Sequence, residues 1–213
     1  PSRQFPITCR NIPRGCRLLP MPRANINEQV VLSEALALAN NEGLEAVTVS
    51  SVARKLGVRP ASLYSHVRDR DSLFVGIHKL ALNELAERVS HDVAGRASTE
   101  ALIALADAHR SLASEQPGTW AILQQAAPPE VVRSPEAERI ATFILAVLRG
   151  YPLPESDLVH GVRFVSATIN GFLTLSHIDA FAHRSDSQNA SWKAAIAALD
   201  RALHSWPHEG SLS

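Results

Sequence analysis

From position 25 onward, apolar side chains return every three to four residues, and no segment alternates apolar and polar positions long enough to make a strand. The pattern predicts an all-α fold of about nine helices. The first starts at Asn25 or Asn27, sets Val31, Ala35, Leu38 and Ala39 on one side, and stops at Gly43. Thr48 is a good N-cap for a second, which carries Val49, Val52, Ala53 and Leu56 inward and ends at Gly57. Pro60 suits the first position of a short third helix that buries Leu63 and Val67. Asp69 then caps a long fourth, with Leu73, Ile77, Leu80, Ala81 and Leu85 at helical spacing, which fades toward Gly95 and can connect two units.

A fifth helix is expected from Ser98 to Glu115, ended by Pro117-Gly118, and a short sixth bearing Trp120 is expected to end at Pro128-Pro129. Ser134-Pro135 starts a seventh that runs to Gly150, burying Ile140, Phe143, Ile144, Val147 and Leu148. The eighth, Glu155 to Ile178, is apolar on more than one side: Leu158, Val162, Val165, Ile169 and Phe172, with Phe164 and Leu175 elsewhere. The last, about Ser191 to Trp206, has a stripe of Trp192, Ala195, Ile196, Leu199, Leu203 and Trp206. Two such helices in a small unit predict a four-helix interface between two copies of the chain, with Gly161, Thr168 and Gly171 allowing close backbone approach. For Ile169 or Leu199 singly, an intrachain core is the competing assignment.

Charge sharpens this division. The chain balances 21 Lys/Arg against 21 Asp/Glu, yet its first 70 residues hold ten basic and five acidic side chains. Between Thr48 and Arg70 the bases Arg54, Lys55, Arg59, Arg68 and Arg70 face the single acid Asp69, so a polyanion would dock here. The expected organisation is a disordered or non-native leader over 1–20, a DNA-binding unit over 21–70, and a helical effector-binding and dimerisation unit over 71–208. The leader reading rests on Pro1, Pro6, Pro13 and Pro20, four arginines, and the position of Met21, the single methionine; a basic arm touching DNA is the alternative. Cys9 and Cys16 have neither metal-ligand partners nor a secretory segment nearby, and no uninterrupted apolar run approaches the roughly 20 residues of a bilayer span. A cytoplasmic protein with no membrane contact and no cofactor is expected.

The segment from Thr48 to Val67 has the anatomy of a helix-turn-helix. Ala53 is small where two helices cross, Gly57 tolerates the positive φ of the turn, and Val49, Val52, Leu56, Val58 and Leu63 glue the pair to the first helix. What remains outward is small, polar or basic. Thr48, Val52-Ala53, Gly57-Val58, Leu63-Tyr64-Ser65-His66, Arg70-Asp71 and Leu73 together resemble the signature of the tetracycline-repressor (TetR) family, over about Asn27 to Ile77. The resemblance implies that Thr48, Tyr64, His66 and Arg70 contact phosphates, while Ser50, Pro60, Ala61, Ser62 and Ser65 face base edges. Arg59 departs from the capping Ser of many relatives and can reach a guanine or a phosphate instead.

Farther on, Arg163, Asn170-Gly171-Phe172, Phe181 and Ala190-Ser191-Trp192 look like the C-terminal domain of a TetR subgroup with Arg, His-Gly-Phe and Ser-Phe at these places, Asn170 and Trp192 being departures. Candidates for an effector pocket are Trp120, Phe143 and Phe164 as apolar walls, with His109 and Asn170 as polar anchors. The same aromatics also serve as ordinary core. The implied function is a homodimeric transcriptional repressor released from a palindromic DNA operator by a small-molecule effector. A helical architectural DNA-binding protein without a ligand is the alternative, and no residue excludes an activator of the same family. An enzyme is not expected. Ser176-His177 and Asp179 point in different directions on one helix, and Pro207 breaks the alignment of His204 with His208.

Overall fold

The computed structural model describes residues 26–182 and 187–207; the expected leader, Asn25 and His208 lie outside the described residues. Within them there are nine α-helices and no strand. They are α1 (Glu28–Glu42), α2 (Val49–Lys55), α3 (Arg70–Val93), α4 (Ser98–Glu115), α5 (Pro117–Leu123), α6 (Pro129–Val132), α7 (Pro135–Leu148), α8 (Leu158–His177) and α9 (Gln188–His204). Their ends follow local chemistry. Asn27, Thr48, Asp69, Ser134 and Ser187 each accept a hydrogen bond from a first-turn amide, and Gly43 closes α1 at a φ of 87°.

Two expectations are corrected. The third helix is a 3₁₀ turn over Pro60–Ser62, continued by hydrogen-bonded turns to Val67, because so few residues separate Gly57 from the Asp69 cap. And Pro128-Pro129 does not end the Trp120 helix. That helix stops at Leu123, while Pro129 opens α6.

Two apolar clusters share α3. The first, here called the head, gathers Val31, Leu38, Val52, Leu63 and Val67 around Leu73, Ile77 and Ala81 of α3, and takes in Ile122 of α5. The second, the body, packs Leu85 and Val89 of α3 with α4, Trp120, α7, α8 and α9. Asp200 on α9 fastens the body. It accepts hydrogen bonds from Thr99 at 2.8 Å and from Tyr151 at 2.7 Å, and burial together with this carboxylate holds the Tyr151 phenol well above its ordinary pKa.

The head and body meet at a seam between α1 and α5. Gly118 lies so close to α1 that a Cβ there would strike the backbone of Ala39 and Asn40. Beside it Asn40 donates to the Thr119 hydroxyl (3.0 Å) and accepts from the Thr119 amide (2.8 Å), and that hydroxyl donates to the Gln116 side-chain carbonyl (2.9 Å).

The predicted all-round apolarity of α8 is only half satisfied within one chain. Leu158, Val165, Ile169 and Leu173 are buried, whereas Val159, Phe164, Leu175 and Ile178 are exposed. By length and composition Glu155–His177 is apolar enough to cross a bilayer, although Arg163 and Asn170 interrupt it. Gly161 is corrected as an interface residue, since it packs inside the chain against Leu148 and Leu153. Gly171 has open space around it. On α9 the buried stripe is Trp192, Ile196, Leu199 and Leu203, and Ala194, Ala197 and Ala198 are exposed.

Candidate functional site

The segment 48–70 is built on a buried hydroxyl. Thr48 accepts from the Ser51 amide at 3.0 Å, and Ser51 Oγ receives the Thr48 amide at 2.9 Å while donating to the Ala46 carbonyl at 2.7 Å. Ser51 thus ties the start of α2 to the turn before it. Ala53 is wholly buried, its carbonyl accepting from the Val58 amide at 2.9 Å, and Gly57 turns the chain at a φ of 68°. Leu63 and Val67 then anchor the 3₁₀ segment from below.

The scaffold sets the candidate DNA-contact residues as follows. Thr48, Ser50, Arg59, Pro60, Ala61, Ser62, Tyr64, Ser65 and Arg70 are exposed, and His66 is half-buried. Tyr64, at 55% exposure, is far too open for a packed core ring. The cations differ in freedom. Lys55 is paired with Glu42 at 2.7 Å, and that ammonium holds the Glu42 carboxyl below its ordinary pKa. Arg70 lies 4.2 Å over the Phe74 ring. Among the described residues Arg54, Arg59 and Arg68 are exposed and form no ion pair within 4.0 Å, although Arg54 still attracts the Glu42 carboxylate and Arg68 that of Asp69.

The expected effector residues are only partly brought together. His109 and Trp120 meet edge to face with ring centroids 6.4 Å apart in the body core. His109 Nδ1 is 2.7 Å from the Leu105 carbonyl, which can only accept; the proton therefore sits on Nδ1 and Nε2 is the accepting nitrogen. The indole Nε1 of Trp120 is buried without a hydrogen-bond partner. Phe143 packs half-buried at the edge of the same core under Arg139, and Asn170 is half-buried on α8. Phe164 is corrected as a pocket wall: it lies on the outer side of α8, 39% exposed, against the Trp206 ring.

Burial pushes the His109 imidazole below its ordinary pKa, with the Leu105 carbonyl opposing in part. The folded protein then binds fewer protons than the unfolded chain from about pH 6.5 downward, so this contribution to stability is full above that value and lost progressively as pH falls from there through the lower value of the folded state. The melting temperature is expected to drop between pH 7.5 and pH 5.5, by less in His109→Phe. An equal drop in both proteins would remove His109 as its source.

Reasoning from sequence missed Ser51, whose only trace was a hydroxyl three residues after the Thr48 cap. It missed the Asn40–Thr119 seam as well, which no local pattern marks.

Comparison with known proteins accords with this geometry. Residues 31–77 match the model described as "Bacterial regulatory proteins, tetR family", and residues 102–199 match "Tetracyclin repressor-like, C-terminal domain", together about two thirds of the chain. An uncharacterized HTH-type transcriptional regulator, YobS of Bacillus subtilis, is 26% identical over 78% of this chain and 86% of its own. The class D tetracycline repressor protein of Escherichia coli is 35% identical over 32% of this chain and 29% of its own. Among solved structures, that of the Streptomyces coelicolor TetR family protein ActR in complex with (S)-DNPA superposes with a TM-score of 0.63 at 18% identity, over 86% of this chain and 100% of that one.

Proposed function

The chain belongs to the tetR family of bacterial transcriptional regulators, and from that premise we propose that it is a homodimeric repressor that leaves a palindromic operator when a small molecule binds its body. The observation that carries the DNA half is the row of exposed small, polar and basic side chains held over buried Leu63 and Val67. In this reading residues 21–70 are the DNA-binding unit and residues 71–208 bind effector and partner subunit. The protein acts in the cytoplasm without a cofactor.

Thr48, Tyr64, His66 and Arg70 take phosphates, setting register and most of the salt-dependent affinity. Ser50, Pro60, Ala61, Ser62 and Ser65 face base edges, with Arg59 reaching a guanine or a phosphate.

The uncovered side of α8 supports the dimer. Phe164, Thr168, Gly171, Leu175 and Ile178 recur at helical spacing across it, and the alanine face of α9 permits close approach of a second copy. Covering this stripe by an identical helix accounts for its apolarity without a membrane. For the effector, the buried, unpartnered indole N–H of Trp120 is an unmet donor beside His109. A ligand carrying a hydrogen-bond acceptor satisfies it, with Phe143 and Asn170 flanking the same core.

Selection of bound DNA from a random pool tests the proposal. A palindromic site is expected. No enrichment would sink the regulatory reading, and enrichment without symmetry would remove the dimer. On the selected site, Tyr64→Ala is expected to weaken binding to every sequence by about 1 kcal/mol, roughly fivefold. Ser62→Ala should instead change preference at particular base pairs. Uniform losses for both would contradict the division into phosphate and base contacts.

A further inference from the structure

A groove of about 1280 Å³ runs between head and body, with α3 as its floor. One wall is the start of α1 with His66–Asp69; the other is the stretch from Ile122 through Pro128 to Glu136, so a molecule lodged there touches both units. Small-molecule sites span roughly 300–1,000 Å³, and this one is ample.

Its chemistry is unfinished at two places. His78, on α3, is 4% exposed and lines the groove, yet no described residue hydrogen-bonds its ring. Burial alone pushes its pKa below the ordinary value, so it stays a neutral imidazole with one donor and one acceptor. Glu136, in the first turn of α7, lines the same groove with Oε2 buried and unpartnered. An unmet buried carboxylate oxygen is costly, and a bound cation with N–H groups relieves it.

The electrostatic balance agrees. Five carboxylates line the groove against Arg68 and Lys79. Asp69 is engaged by the Ser72 amide at 2.7 Å, Glu28, Asp71 and Glu130 are exposed to water, and Glu136 alone of the five holds a buried oxygen with no partner. Apolar surface lies alongside, from the half-buried Phe74, Val75 and Leu80 on α3 to Pro128.

We propose that this groove binds an amphipathic organic cation, with its ammonium or amidinium on Glu136, a hydrogen bond to His78, and its apolar part along Phe74 and Pro128. The site is separate from the Trp120–His109 core, and its regulatory meaning rests on the reading of the chain as a DNA-binding regulator. Because it bridges α1 and α7 across α3, an occupant that fits one head–body spacing better than another shifts the spacing of the two DNA-reading segments.

Three probes of one shape but different charge decide it: 4-phenylbutylamine, 4-phenylbutanol and 4-phenylbutyrate, titrated into the full chain by calorimetry. The amine is expected to bind at least tenfold more tightly than the acid. Glu136→Gln should weaken the amine at least tenfold and erase the preference for charge, and His78→Gln should weaken it less. Glu100→Gln, a remote carboxylate change on α4, should leave amine affinity as it is. Equal binding of amine and acid, or unchanged amine affinity in Glu136→Gln, would overturn the proposal. Operator binding by the same proteins without probe is measured in parallel. The amine arm alone decides the groove, and the operator arm decides the reading beneath it.

Discussion

Replacing Leu175 by Glu is expected to turn the protein into a monomer and to lower its affinity for a palindromic operator more than a hundredfold. Leu175 is 43% exposed in the single chain, so a carboxylate there costs the fold little. In a twofold interface built on α8, the same position from both copies approaches the axis, and each introduced charge is desolvated near its own image. The loss in DNA binding follows from tethering. Two linked half-site readers gain about 10²–10⁴ over one, and a monomer forfeits that factor. Sedimentation at micromolar concentration reads the first effect and titration of labelled operator reads the second, with circular dichroism guarding against misfolding. A variant that stays dimeric and binds operator normally would move the interface off this face.

Gly118→Val is expected to cost the largest amount of stability of any single change at the seam. Its branched side chain would enter the space held by the Ala39 and Asn40 backbone, which cannot rotate aside as a side chain does. Overpacking of this kind costs about 1–3 kcal/mol, occasionally more. Pushing α5 off α1 also breaks the paired hydrogen bonds between Asn40 and Thr119, a residue with no exposure at all. For a chain of this size the sum lowers the melting temperature by roughly 5 °C or more. Gly171→Ala meets open space and removes a helix-destabilising glycine, so in a monomeric Leu175→Glu background it should leave the melting temperature unchanged or slightly raised. A shift under one degree for Gly118→Val would mean that α5 does not bear on α1 this closely.

The contrast between these glycines marks where local reading stops. Both stand in helices and look alike in the sequence, yet one is pinned by a backbone seventy-nine positions away from its neighbour Thr119 and the other faces nothing. The positions of most helix ends were legible because a cap acts within three residues: Asn27, Thr48, Asp69 and Ser134 each bond an amide of the turn they start. Most buried positions were legible too, since helical periodicity alone sets Val31, Ala35, Leu38, Ile77 and Val147 inward. The 3₁₀ character of Pro60–Ser62 was not, because propensity favours an α-helical first turn at proline and only the shortness of the span between Gly57 and Asp69 decides otherwise. Phe164 was misplaced for a related reason. A helix apolar on two sides does not say which side its own chain covers.

What was legible from the residues alone is an all-helical chain, the capped and glycine-turned segment from Thr48 to Leu73, and an outward set of small and basic side chains. All of these depend on contacts within a few residues and on the period of the helix. Packing at long range made Ser51 the buried hub beneath Thr48, brought α1 against α5 at Gly118, left one apolar face of α8 uncovered, and set His78 and Glu136 along one groove. Those facts arise from helices far apart in the chain packing at particular angles, and no local pattern records the angle.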